Sequence, residues 1–99
     1  MIRNEVIWFA ECMESKLQEN DHKGGWKQCG KYWLFERMQE EITELLQELS
    51  RFGNDAKNED MIIRECADIA NFAMMIADKV REQSEVRQLK GDGENEKSD

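Results

Sequence analysis

No proline interrupts these 99 residues, and apolar residues recur every three or four positions in three separate stretches. Without proline, every backbone N–H stays available to a helix. The period is that of an amphipathic helix, not of a strand. The pattern predicts a first helix over 4–19, with Val6, Phe9, Ala10, Met13 and Leu17 on its apolar face and Ile2 just ahead. The run 20–25, Asn-Asp-His-Lys-Gly-Gly, breaks it. A second helix is expected to begin between Gln28 and Lys31 and to stop near Phe52, where Gly53 suits the position just past a helix end. Residues 54–58 form a polar turn. Asp55 or Asn58 can cap a third helix, and Glu59 and Asp60 suit its positive N-terminus. That helix should run to about Gln83. From Ser84 the periodicity fails, and 91–99, with Gly91 and Gly93 among polar residues, reads as a disordered acidic tail. The expected organisation is one helical domain over 1–83 and a polar tail over 84–99.

Short connections make antiparallel neighbours, so the expected fold is all-α, built of antiparallel helical hairpins. A chain this small buries only about two-thirds of its unfolded surface. Its hydrophobic content of 39% is adequate rather than generous, so burial is expected to be completed by association into a homo-oligomeric helical bundle. The net charge of −8 argues against nucleic acid or an anionic membrane as partner. No apolar run is long enough to span a bilayer, and residues 1–5 lack the apolar core of a signal peptide. Cys12, Cys29 and Cys66 are odd in number, widely spaced and form no Cys-x-x-Cys. Neither a zinc ribbon nor a redox motif is indicated, and the chain reads as cytoplasmic.

Two acidic clusters carry the chemistry. Glu40-Glu41-x-x-Glu44 lies on the second helix and Glu65-x-x-Asp68 on the third. Each i, i+3 pair puts two carboxylates on one helix face. Glu41, Glu44 and Glu48 border the apolar stripe of Leu34, Met38, Ile42, Leu45, Leu46 and Leu49, and Arg37 stands at the start of that row. Glu65 and Asp68 lie inside the apolar face made by Met61, Ile62, Ile69, Phe72, Met75 and Ile76. Burying an ionised carboxylate without a partner costs several kcal/mol. In an antiparallel hairpin the two clusters come to matching heights. Oxygen ligands gathered from two helices suit Mg²⁺ or Mn²⁺. The plainer alternatives are solvated helix faces for Glu36, Glu40, Glu48 and Glu82, and an ion pair of Glu65 or Asp68 with Arg64 or Lys79.

Glu41-x-x-Glu44, twenty intervening residues, then Glu65-x-x-Asp68 resembles the signature of the MazG-like all-α nucleotide pyrophosphohydrolases. The doubled acid Glu40-Glu41 and the stretch from Glu65 to Asn71 share that likeness, which covers roughly 26–79. The resemblance implies helical hairpins that pair between subunits into dimers or tetramers. It implies Mg²⁺-dependent cleavage of a nucleoside triphosphate to the monophosphate and pyrophosphate. By matching positions, Glu41, Glu44, Glu65 and Asp68 would be the metal ligands, and Asn71, one turn after Asp68, a substrate contact. Longer members carry a clear fourth helix, for which only 84–90 remains here.

Such a reaction needs a base and cations for the phosphates. Glu40 and Glu44 are the candidates for taking the proton of the attacking water. Lys31, Arg37, Arg64 and Lys79 are the cations available to a polyphosphate, although a basic residue beside acids on a helix is more often an i, i+4 partner. Trp26 can stack on a nucleobase or, the commoner role, cap a helix pair. Trp8, Phe9, Trp33 and Phe35 suit packing or an interface. His22 lies in a polar loop and has no role. A ferritin-like di-iron centre needs Glu-x-x-His motifs, and neither cluster contains histidine. The competing function is a non-catalytic helical oligomerisation or adaptor module. Base and sugar preference are not legible.

Overall fold

A computed structural model describes residues 1–51 and 55–98. Among these the chain is all-helical. Helix α1 spans Asn4–Glu19, α2 spans Lys31–Leu49 and α3 spans Ala56–Ser98, with a single 3₁₀ turn at Asp21–Lys23. The first helix has the expected bounds. Glu5 in its first turn and Lys16 in its last complement the helix dipole. Gly24 then takes φ of 87°, a backbone region that side chains with a Cβ avoid. This glycine turns the chain away from α1.

Helix α2 ends at Leu49, earlier than expected. Ser50 closes it, its hydroxyl donating to the Leu46 carbonyl at 2.8 Å. The expected stop at Phe52 and Gly53 lies outside the described residues. Asp55 is the cap of α3: its carboxylate accepts from the backbone N–H of Asn58 at 2.8 Å, satisfying one of the free donors of the first turn.

The third helix does not stop near Gln83; it continues to Ser98. Apolar periodicity reports burial, and its loss at Ser84 marks the end of packing, not of the helix. Once nucleated, a helix extends at little cost per residue, and Glu85, Arg87, Gln88 and Lys90 are good helix formers. Val86 and Leu89 on this extension are exposed. Truncation after Glu85 is therefore expected to move the melting temperature by less than about 3 °C, because exposed positions contribute little. A larger fall in a circular dichroism melt would show that the extension packs against something.

Helix α3 is the central element, and α1 and α2 each pack against it. Followed forward, α2 meets α3 in reverse: Lys31 bonds to Gln83, Arg37 stacks on Phe72, and Glu48 receives the side-chain amide of Asn58. On α1 the order is likewise reversed, with Met13 facing Asn71, Lys16 facing Asp68 and Glu19 facing Arg64. Both pairings are antiparallel. The core between them is thin. Leu34 and Ala67 are the fully buried apolar side chains among the described residues. Of the expected α2 stripe, Met38 and Leu45 are half-buried, while Ile42, Leu46 and Leu49 are exposed. The stripe is wider than one neighbouring helix can cover.

Candidate metal centre

The hairpin brings three of the acids together. Glu41 and Glu44 project from α2 and Glu65 from α3, and one carboxylate oxygen from each lies within 4.8 Å of the others. Two turns of α2 and one of α3 thus bring three carboxyl groups to one point. Glu41 and Glu65 are half-buried, and Glu44 is exposed. Burial, followed by the carboxyls of Glu65 and Glu44, pushes Glu41 up to about 8. Burial also raises Glu65, against the lowering effect of the Glu41 carboxyl bonded to it, and the charges of Glu44 and Asp68 add to the rise. At neutral pH the Glu41–Glu65 pair therefore retains a proton, since two adjacent carboxylates cannot both ionise cheaply. That proton does not satisfy the whole cluster: Glu65 Oε2 is buried with no hydrogen-bond partner. A cation would meet both conditions, relieving the repulsion and giving the orphaned oxygen a ligand. The donor set, all carboxylate oxygen, fits a hard divalent ion.

Asp68 lies beside this group rather than in it. Its Oδ2 is 3.7 Å from Lys16 Nζ on α1. Burial raises its pKa, opposed by the charges of Lys16 and Arg64. The basic partner foreseen from sequence was Arg64 or Lys79; the close one is Lys16. Arg64 instead donates to Glu19 at 3.0 Å. Asp68 still faces the same space as Glu41: both line a cleft of about 440 Å³ between α1 and α2, floored by Phe72 and Met75 of α3. This volume is within the range of small-molecule sites.

The remaining candidates separate clearly. Arg37 lines the cleft, 3.0 Å from Glu40 and 3.8 Å from Glu41. Glu40 is thereby turned into an exposed pair with Arg37 and stands outside the three-acid group. Trp26 also lines the cleft, with its indole N–H donating to Asp78 at 3.0 Å. Asn71 is buried and donates to the Met13 carbonyl at 3.0 Å, tying α1 to α3. Lys31 and Lys79 are engaged elsewhere. Lys31 bonds to Gln83 at 3.1 Å, and Lys79 donates to the Lys27 carbonyl at 2.6 Å. Neither lines the cleft, whose cations are Lys16, Lys23 and Arg37.

Two features escape sequence reasoning. Lys16 reads as an ordinary last-turn lysine, because the register of α1 on α3 has no local signature. Asp78 is the second. It is buried and accepts from Lys27 at 2.6 Å, from Trp26 and from Arg81. The Lys27 bond, then those of Trp26 and Arg81, hold its carboxyl well below the usual range. This network pins the segment between α1 and α2 to α3 and so fixes one wall of the cleft. Its signal in the sequence is only an acid at one helical turn from Glu82. In comparisons with known proteins, no family model, no curated protein and no solved structure matches the chain.

Proposed function

We propose that this chain is a divalent-metal-dependent nucleoside triphosphate pyrophosphohydrolase of MazG-like type, cleaving between the α and β phosphates. The observation that carries the reading is the meeting of Glu41, Glu44 and Glu65 across two antiparallel helices, with Glu65 Oε2 buried and partnerless. Supporting it is the cleft alongside, which combines acids, cations and the aromatic surface of Trp26, Trp33 and Phe72.

Glu41, Glu44 and Glu65 would hold Mg²⁺ or Mn²⁺, with Asp68 at the rim of the same cleft. When bound, such an ion neutralises phosphate charge and polarises the phosphoryl group under attack. The chain's own residues do the rest. Arg37 bears positive charge into the cleft beside Glu41, where a polyphosphate would lie. Glu44, exposed and not bound to a cation within its own helix turn, is better placed than Glu40 to take the proton of the attacking water. Trp26, held by Asp78, offers a fixed ring face to a nucleobase. A screen of nucleoside triphosphates with Mg²⁺ or Mn²⁺, reading pyrophosphate release, tests the reading. Release from none of them would sink it.

A non-catalytic oligomerisation module is the second reading, favoured by one specific observation. Phe35, Ile42, Leu46 and Leu49 stand exposed along α2 at heptad-like spacing, and Trp8 and Trp33 are half exposed. Such a stripe is the seam of a helix–helix contact. Both readings entail self-association, and among the described residues no helix is long and apolar enough to cross a membrane. Light scattering at micromolar concentration is expected to give a dimer or tetramer mass. Leu46→Glu is expected to shift that mass toward the monomer. Calorimetry with Mn²⁺ separates the two readings, because a scaffold has no need to bind the ion.

A further inference from the structure

Lys16 is a cleft cation held only by long contacts. Its side chain is only 15% exposed, yet its ammonium sits 3.7 Å from Asp68 and 3.4 Å from Glu19. The first distance is too long for a hydrogen bond. The second partner does not depend on Lys16, since Arg64 reaches the same Glu19 oxygen at 3.0 Å. The ammonium could leave and Glu19 would remain paired. Lysine is suited to such a move, being a point charge on a flexible four-carbon stem with three donors. Lys16 also lines the cleft together with Lys23 and Arg37, from the helix opposite the one that bears Glu41.

Resting on the metal-centre reading above, we infer that Lys16 is a place-holding cation: it pairs with Asp68 while the centre is free of metal and transfers to the distal phosphates of a polyphosphate once Asp68 turns to the ion. The physical ground is charge. A divalent ion among Glu41, Glu44 and Glu65 repels a nearby ammonium and competes with it for Asp68. A triphosphate arriving in the cleft supplies the anion that the displaced ammonium then lacks. The ligand class follows from that exchange: a polyphosphate carries separate anionic groups for the ion and for Lys16.

The inference fixes two affinities that move in opposite directions. Calorimetry on the full chain would use MnCl₂ alone, then inorganic triphosphate added to the Mn²⁺-saturated protein. Lys16→Met is expected to bind Mn²⁺ about threefold to tenfold more tightly, because a competing charge is gone. It is expected to bind triphosphate about tenfold more weakly, the worth of one charge-assisted contact. Lys16→Arg, which keeps the charge, should restore most of the triphosphate affinity, and circular dichroism checks that both variants fold. If Mn²⁺ and triphosphate affinities fall together in Lys16→Met, or if neither changes, Lys16 is a structural ion pair and the inference is overturned alone. If the wild-type chain binds no Mn²⁺, the metal-centre reading is overturned and this one with it.

Discussion

Glu65→Gln is expected to abolish pyrophosphate release while raising the stability of the metal-free protein at pH 8. Glu65 is where the acids converge: it is half-buried, its Oε2 has no partner, and it faces Glu41 and Glu44 across the helix pair. The amide keeps the shape of the side chain and removes the charge. Turnover should fall by about 10² to 10³ or more, the scale on which loss of one well-placed electrostatic group reduces an enzyme's rate. In the metal-free protein the same change removes repulsion, and the amide N–H can donate to Glu41. Melting temperature without metal should therefore rise, and the gain from added Mn²⁺ should shrink. Glu41→Gln should behave alike. A structural acid predicts the reverse, because deleting one partner of a buried pair is strongly destabilising. Paired measurements of turnover and metal-free melting decide the matter, and a drop in melting temperature of 10 °C or so in Glu65→Gln would end the metal-centre reading.

The parts of the molecule written in local sequence were legible. Helix α1 begins and ends where its periodicity does, and Asp55 caps α3 as an acid before a helix should. Glu65 and Asp68 are half-buried because they interrupt an apolar face, and spacing alone implied that. The approach of Glu41 and Glu44 to Glu65 followed from a single assumption, an antiparallel hairpin. What was not legible depends on the register of α1 and on its rotation about α3. The Lys16–Asp68 pair, the bond from Asn71 to Met13 and the tether of Trp26 to Asp78 all span more than fifty residues. Nothing in the local pattern of either partner selects the other. The bonds of Lys31 and Lys79 were illegible for a related reason: both reach partners at the hairpin's open end, Gln83 and the Lys27 carbonyl. The overrun of α3 beyond Gln83 has another cause, since burial and helicity part company wherever a helix outruns its neighbours.

Metal-free stability should fall as pH rises from about 5 to 9, and a divalent ion should flatten that slope. The sign follows from Glu41. Its folded pKa is raised from 4.5 to about 8, and that of Glu65 is also raised. Between those limits the folded chain holds protons that the unfolded chain has released. Stability is then fully present below the unfolded value and is lost as pH climbs through the folded one. The lowered carboxyl of Asp78 does not oppose this, because its stabilising bonds are already complete well below pH 5. An ion that binds the same oxygens competes with the retained protons, so its affinity rises over the window in which they leave. At a hundred times its dissociation constant such an ion adds about 2.7 kcal/mol, or roughly 10 to 20 °C of melting temperature for a domain of this size. The experiment is a set of thermal melts at pH 5, 7 and 9, with and without millimolar Mn²⁺. The expected result is a gap that is small at pH 5 and widens by pH 9, accompanied by proton release on calorimetric titration at pH 7. A gap that is the same at all three values would mean that the ion binds elsewhere and that Glu41 and Glu65 do not hold it.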